Sequence, residues 1–174
     1  MFQMFSSRYN LTNPVIPGQG SCSALIKVME NNSDIYASHV AWYYLESMLR
    51  MQKKYNFGYH YTQNAKNRKL VPGHSVAFSG YPGIIYSADD FHLLSSGLAT
   101  IETSIENANP ELWKLIKPTG GILEGVRVTV ANRLAKNGKQ WTHFFSMKNS
   151  GTYNNCSVIT YAAKWNARLR DTHI

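Results

Sequence analysis

The 174-residue sequence is poor in charged residues and contains no long apolar run. Charged residues make up 16% of the chain and hydrophobic residues 44%, which excludes a disordered tail or a coiled coil. No apolar stretch approaches the roughly 18 residues that a membrane-spanning helix needs. Residues 1–10 show no basic segment followed by an apolar one, so no signal peptide is visible. The length predicts one domain with a real core.

Cysteine is also scarce, because the chain has only Cys22 and Cys156. Two cysteines can form one disulfide, but they cannot form the scaffold of a disulfide-rich domain. No Cys-x-x-Cys pair or His/Cys cluster is present, so the sequence predicts neither a metal site nor a cofactor. The cysteine count leaves the redox compartment open.

Positive charge, in contrast, is in excess, with a formal net charge of +8. Such a charge favours anionic partners, either nucleic acid or an anionic lipid surface. The densest basic groups are Lys53–Lys54 and the set Lys66, Arg68 and Lys69, which are short and typical of solvated loops. No nucleic-acid-binding motif accompanies them, so nucleic acid is not predicted and a membrane surface stays open.

The first structured segment is predicted to be a β-hairpin. Two short apolar runs, residues 23–29 and 34–40, flank residues 30–33, which have good turn chemistry. A turn centred between Asn31 and Asn32 places Cys22 opposite Ala41 and makes His39 its diagonal neighbour on the same face. A slip of one residue would put Cys22 and His39 on opposite faces.

The rest of the pattern predicts an α+β protein with helices packed on an antiparallel sheet. A helix is expected at 42–55, and an exposed basic loop at 59–73. Strand-like runs at 75–78, 83–87, 91–95 and 98–105 predict an antiparallel meander. Further helices are expected at 110–116, after an Asn109 N-cap, at 122–136, closed by Asn137–Gly138, and at 141–147. A last strand is expected at 157–162.

Cys22 and His39 are the first candidates for chemistry, since a thiol and an imidazole at one end of a hairpin can form a nucleophilic site. Taken alone, Cys22 fits a small buried hydrophobe better than a nucleophile, and His39 fits a hydrogen-bonded strand residue better than a catalytic one. Asn149, Asn154 and Asn155 could donate to an oxyanion, although ordinary turn chemistry also explains them. Asp89–Asp90 is interpreted as a turn, and His60, His74, His92 and His143 receive no role.

Several segments in the same order resemble the phospholipase B-like family. They are residues 22–28 (CSALIKV), 39–42 (HVAW), 81–91 (YPGIIYSADDF), 94–98 (LSSGL), 101–105 (IETSI), 109–113 (NPELW), 130–134 (VANRL) and 149–155 (NSGTYNN). Together they extend over roughly residues 20–161, which makes the resemblance far more specific than any one motif.

The resemblance implies an N-terminal-nucleophile hydrolase with an αββα sandwich. Residues 1–21 would be a propeptide-like leader, 22–161 a partial hydrolase core and 162–174 a divergent basic tail. Autoproteolysis of the Ser21–Cys22 bond would expose Cys22 as the nucleophile. His39 and Trp42 match positions that line the family's site, and Asn154 or Asn155 would serve the oxyanion or the substrate.

The resemblance further implies a hydrolase of acyl ester or amide bonds that acts on phospholipid, in lipid degradation. It implies a lysosomal or secreted glycoprotein, and Asn-x-Ser/Thr sequons occur at Asn10, Asn31 and Asn155.

The chain also departs from the family pattern. Val40–Ala41 stands where the family carries Asn-Thr, Cys156 replaces a polar residue, and Ala88 replaces glycine. The family is several times longer, so a truncated member is expected. The alternative function is therefore a catalytically inactive remnant that acts as a basic lipid- or protein-binding module.

Overall fold

A computed structural model describes residues 22–42, 45–64, 68–87, 91–103, 109–117, 119–151, 153 and 156–161. Its first unit is the predicted β-hairpin. Strand β1 (Cys22–Val28) pairs antiparallel with β2 (Ile35–Ala41) around a 3-10 turn at Glu30–Asn32. Asn31 takes the left-handed conformation in this turn, with φ of 57°, which asparagine tolerates better than most residues. The hairpin prediction is confirmed.

The second unit is a five-stranded antiparallel sheet in the order β3–β4–β5–β6–β7. The strands are β3 (Met51–Asn56), β4 (Ser75–Gly80), β5 (Phe91–Leu94), β6 (Leu98–Thr103) and β7 (Cys156–Tyr161). Consecutive strands are neighbours, so the predicted meander is confirmed, with β7 returning after the helices to pair with β6.

The helix predicted at 42–55 is wrong. Among the described residues of this range, only Leu45–Met48 is helical, as a 3-10 turn, and residues 51–56 form edge strand β3. The apolar residues that suggested a helix face are exposed, with Leu45 81% and Leu49 72% accessible. Pairing with β4 and the edge contact of the Tyr55 ring with Phe78, at 5.2 Å between centroids, override the local helix propensity.

The strand predicted at 83–87 is also wrong, because this segment is a turn. Pro82 has no backbone N–H to donate, and Gly83 has a φ of +75° that only glycine adopts freely. The Lys53 ammonium on β3 donates to the carbonyls of Tyr81 and Ile84 and so fixes the turn against the sheet.

Three helical segments follow β6, with bounds that differ from the predicted ones. Pro110–Leu115 is a 3-10 helix whose N-cap Asn109 accepts from the Glu111 amide. Helix α1 covers Glu124–Leu134, and α2 covers Gly138–Ser146. Helix α2 begins earlier than predicted because the Asn137 side chain caps it, accepting from the Gln140 amide at 2.9 Å.

The helices α1 and α2 cover one face of the five-stranded sheet. Val76, Phe78, Leu94 and Leu98 from the sheet pack with Val128, Ala131, Ala135 and Trp141 from the helices. The buried Trp141 indole donates to the Asn132 side-chain oxygen at 2.7 Å, which satisfies the indole N–H. None of the helices in these ranges is long and apolar enough to cross a membrane.

The hairpin lies against β6. Since β5 and β7 occupy both edges of β6, a further strand can approach it only over a face. Several Cα atoms of β1 lie within 8 Å of β6. Ala99 and Ile101 alternate with the helix-facing residues of β6 and are buried as well, 5% and 1% exposed. We infer that the hairpin covers this second face, in agreement with the predicted α+β class.

Among the described residues of the helix-facing core, His92 has a strongly shifted pKa. It is 3% exposed, its Nδ1 lies 3.1 Å from the Thr100 hydroxyl, and its ring tilts against Phe78. Burial lowers the pKa of His92 from 6.5 to about 4, because the imidazolium would lose its hydration in this core.

His92 therefore predicts acid sensitivity of the fold. Between its lowered pKa and 6.5 the unfolded state binds the proton and the folded state does not, so stability decreases as the pH falls through this window. By pH ~5 the loss should reach about 2 kcal/mol.

Urea unfolding at neutral and acidic pH checks this prediction. The parent and the exposed-site control His143→Gln should lose about 2 kcal/mol more than His92→Gln. An equal loss in all three proteins would contradict the prediction.

Candidate active site

Cys22 is the first residue of β1 and pairs with Ala41, the last residue of β2. The predicted pairing of Cys22 with Ala41 is thus confirmed. The Cys22 side chain is half-buried, so it is neither sealed in the core nor fully in solvent. Partial exposure of this kind is what a thiol needs to meet a substrate.

His39 shares the face of Cys22. It pairs with Ala24, and residues paired directly across an antiparallel ladder point to the same side, so His39 is the diagonal neighbour of Cys22. On β2 every residue of this face is half-buried, whereas on β1 Cys22 and Ile26 are half-buried and Ala24 and Val28 are exposed. The Nε2 atom of His39 is buried, and no hydrogen-bond partner for it occurs in the described part of the chain.

A buried polar atom without a partner loses its hydrogen bonds to water and gains none in return, at a cost of about 1–3 kcal/mol. Such atoms concentrate at functional sites, because a substrate or a reacting group can supply the missing bond. The structure therefore brings the Cys22 thiol to the same face of the hairpin as the His39 imidazole, whose Nε2 can still form a hydrogen bond.

Trp42 follows β2 directly and is 59% exposed. Beyond it, Leu45, Met48 and Leu49 are each more than 70% exposed. The end of the hairpin that carries Cys22 thus continues into accessible apolar side chains. An aromatic ring beside a nucleophile can contact the apolar part of a substrate.

Of the three candidate asparagines, the structure describes Asn149. The Asn149 side chain accepts a hydrogen bond from the Gly151 amide at 3.0 Å, the turn chemistry considered as its alternative. Gly151 itself has a φ of +82°. Asn154 and Asn155 lie outside the described residues, as do Ser21 and the Asp89–Asp90 pair. No group of three or more His, Cys, Asp or Glu side chains that could hold a metal occurs within the described ranges.

A small cavity with room for about one water molecule lies between the sheet and the helices. It is lined by His92, Thr100, Glu102, Glu124 and Trp141, among others. These strand residues point to the helix side of the sheet, whereas the hairpin covers the other side. The cavity is therefore separate from the Cys22 site.

Comparison with known proteins identifies the family. The phospholipase B family model matches residues 3–168. "Putative phospholipase B-like 2" from Bos taurus is 50% identical over 147 residues, which cover 84% of this chain and 25% of the bovine protein. The Homo sapiens protein of the same name has the same identity and coverage. "Phospholipase B-like 1" from Rattus norvegicus is 45% identical over 140 residues, 80% of this chain and 24% of its own length.

The chain belongs to the phospholipase B family. The resemblance read from the sequence is thereby confirmed. The chain spans about a quarter of the length of the phospholipase B-like proteins that it matches. The matched range includes Cys22, His39 and Trp42, but membership alone gives none of them a role.

The register of the phospholipase B hairpin can be tested by cross-linking. In a Cys156→Ser background, Ala41→Cys places a second thiol directly opposite Cys22, within disulfide reach. Val40→Cys places it on the other face. We expect mild oxidation to link Cys22 to residue 41 and not to residue 40, measured by peptide mass spectrometry. A link at residue 40 alone would mean that β1 and β2 are shifted by one residue.

Proposed function

We propose that this protein is a hydrolase of acyl ester or amide bonds, with phospholipid as its substrate class and Cys22 as its nucleophile. The observation that carries the proposal is the position of Cys22 beside His39 at one end of the hairpin. In a phospholipase B family chain, a half-buried cysteine begins β1 and shares its face with a histidine whose buried Nε2 has no hydrogen-bond partner among the described residues.

The nucleophile would arise by autoproteolysis. The Cys22 sulfur attacks the carbonyl carbon of Ser21, the Ser21–Cys22 amide bond breaks, and the Cys22 nitrogen takes up a proton. Water then hydrolyses the resulting thioester, which leaves a carboxylate on Ser21 and returns the Cys22 thiol. The product has a thiol and an α-amine on the same residue.

That α-amine can act as the general base. Its usual pKa is about 7.7–8.0, so a useful fraction is neutral near pH 7 and can accept the thiol proton, directly or through water. The thiolate attacks the acyl carbon and the alcohol or amine leaves with a proton. Water hydrolyses the thioester and regenerates the enzyme.

The oxyanion of each tetrahedral intermediate needs donors. We assign this role to the side-chain amide of Asn154 or Asn155, which immediately precede β7 in the sequence. The family resemblance supports these positions, and Asn149 is already engaged in its turn. His39 would use its Nε2 to hold the thiol or the substrate, and Trp42 would contact the acyl group.

The fold proposed for this activity is the αββα sandwich. Helices α1 and α2, the five-stranded sheet and the hairpin provide successive layers that support this assignment. An experimental structure with the hairpin on the same side of the sheet as α1 and α2 would contradict it.

A non-catalytic role is the second candidate. The net charge of +8 favours a basic lipid- or protein-binding module. Such a module would bind without turnover.

We also propose a lysosomal or secreted location. The Asn31 sequon supports it, since Asn31 and Ser33 are exposed in the hairpin turn, at the opposite end of the strands from Cys22. A glycan there would leave the nucleophile accessible. After expression through a secretory pathway, glycosidase treatment should lower the mass of the parent by at least one glycan more than that of Asn31→Gln. An equal mass loss would contradict modification at Asn31.

The catalytic proposal predicts a sharp dependence on Cys22. With a phospholipid in mixed micelles, Cys22→Ala should lower the hydrolysis rate by at least about 100-fold, because no other group replaces the nucleophile. Cys156→Ser serves as the matched control for loss of a thiol and should retain activity. Unchanged hydrolysis by Cys22→Ala would show that the nucleophile assignment is wrong.

A further inference from the structure

A long segment without acidic residues contains one third of the chain's lysines and arginines. Residues 47–88 contain no Asp or Glu but six basic residues: Arg50, Lys53, Lys54, Lys66, Arg68 and Lys69. This segment alone therefore contributes +6 to the net charge of +8. It includes edge strand β3 and the connection from β3 to β4.

Aromatic residues alternate along the same segment and form a ladder. The Tyr55 and Phe57 rings stack with centroids 5.3 Å apart, and Phe57 lies 5.3 Å from Tyr59. Tyr55 anchors the ladder through its edge contact with buried Phe78. Outward from this anchor the rings become accessible, with Phe57 41% and Tyr59 53% exposed.

Arg133 of α1 holds the ladder in place. Its guanidinium lies 5.2 Å from the Phe57 ring centroid and 5.6 Å from that of Tyr59, within the range of cation–π attraction. The same group donates to the carbonyls of Gly73 and His74. The rings are thus fixed before any partner binds, which reduces the entropy lost on binding.

Basic and apolar residues lie beside the ladder. The Tyr61 amide donates to the Lys69 carbonyl at 3.2 Å, and His60 forms a β-bridge with Leu70. These bonds bring Arg68, Lys69 and Leu70 next to Tyr61. All four are exposed, Tyr61 by 44% and Leu70 by 45%. We call the surface formed by Phe57, Tyr59, Tyr61, Arg68, Lys69 and Leu70 the aromatic–basic surface.

We propose that the aromatic–basic surface binds an anionic phospholipid membrane. Tyrosine rings suit the headgroup level, where one end of the ring is apolar and the other is wet. Basic residues in a segment that contains no acidic residue are attracted by anionic headgroups, and each contributes about a fivefold gain in affinity. Exposed Leu70 and Phe57 can enter the boundary with the acyl chains. The proposal rests on the proposed lipid substrate, whose acyl groups are held in such a membrane.

A single-stranded nucleic acid fits this surface less well. Bases bind by stacking on accessible aromatic faces. Here the faces of Phe57 and Tyr59 are partly occupied by each other and by Arg133. The ring edges and phenol hydroxyls are what remain to face a partner, and these favour a lipid interface.

Vesicle co-sedimentation of the full chain tests the proposal. The probes are vesicles with about 30% phosphatidylserine in phosphatidylcholine, and vesicles of phosphatidylcholine alone. The variant Arg68→Gln/Lys69→Gln should lower affinity for the anionic vesicles by about tenfold or more. The control Lys136→Gln/Lys139→Gln removes the same charge from exposed positions around the start of α2 and should lower affinity by less than about threefold.

The apolar contribution is tested separately. Tyr61→Ser/Leu70→Ser should weaken vesicle binding by about fivefold or more, whereas Leu115→Ser, at a position 71% exposed elsewhere, should leave it unchanged. Equal losses from the two charge pairs would mean that only net charge acts. That result, or tighter binding to a single-stranded RNA than to the vesicles, would overturn the proposal.

Measuring vesicle binding and hydrolysis separately distinguishes failure of the membrane proposal from failure of the catalytic proposal. Cys22→Ala should bind vesicles as the parent does. Arg68→Gln/Lys69→Gln should hydrolyse a soluble short-chain ester at the parent rate and membrane-bound phospholipid more slowly. Vesicle binding without hydrolysis of either substrate would contradict only the catalytic proposal.

Discussion

Strand β6 is the constraint on which the rest of the structure depends, because it is paired along both edges and buried on both faces. Leu98 packs toward α1 and α2, whereas Ala99 and Ile101 point away from them and are equally buried. A strand buried on both faces requires a layer on each side. The helices supply one layer and the hairpin supplies the other. The position of Cys22 therefore follows from the packing of the hairpin on β6, and its orientation follows from the hairpin register.

Much of this could be predicted from local chemistry. The turn at Glu30–Asn32 fixes the pairing of Cys22 with Ala41, since turn position determines hairpin register. The runs at 75–78, 91–95 and 98–105 were correctly predicted as strands of an antiparallel meander, whereas 83–87 forms a turn. Where the prediction failed, tertiary contacts were responsible. Residues 42–55 have helical periodicity, but Tyr55 gains more from Phe78 and from pairing with β4 than a solvated helix would offer. Asn137 has the chemistry of either helix end, and its bond to Gln140 determines which helix it caps.

The candidate site was predictable only in part, because tertiary contacts determine the rest of it. Register arithmetic places His39 beside Cys22, but nothing in the sequence reveals that its Nε2 is buried without a partner in the described chain. The role of Arg133 could not be foreseen either, because it contacts Phe57 and Tyr59 from a helix more than 70 residues later in the chain. The Cys22 site and the aromatic–basic surface are consistent with one proposed function. The hairpin presents the proposed nucleophile, and the acid-free segment presents a surface suited to the membrane that would hold the proposed lipid substrate.

The central claim is that Cys22 becomes an N-terminal nucleophile by cutting its own chain. Intact mass with N-terminal sequencing tests this most directly, on purified full chain incubated at acidic and at neutral pH beside a Cys22→Ala control. The account predicts a fragment that begins at Cys22 in the parent and an uncut control. A parent chain that still begins at Met1 under both conditions would contradict it, as would equal cleavage of the control.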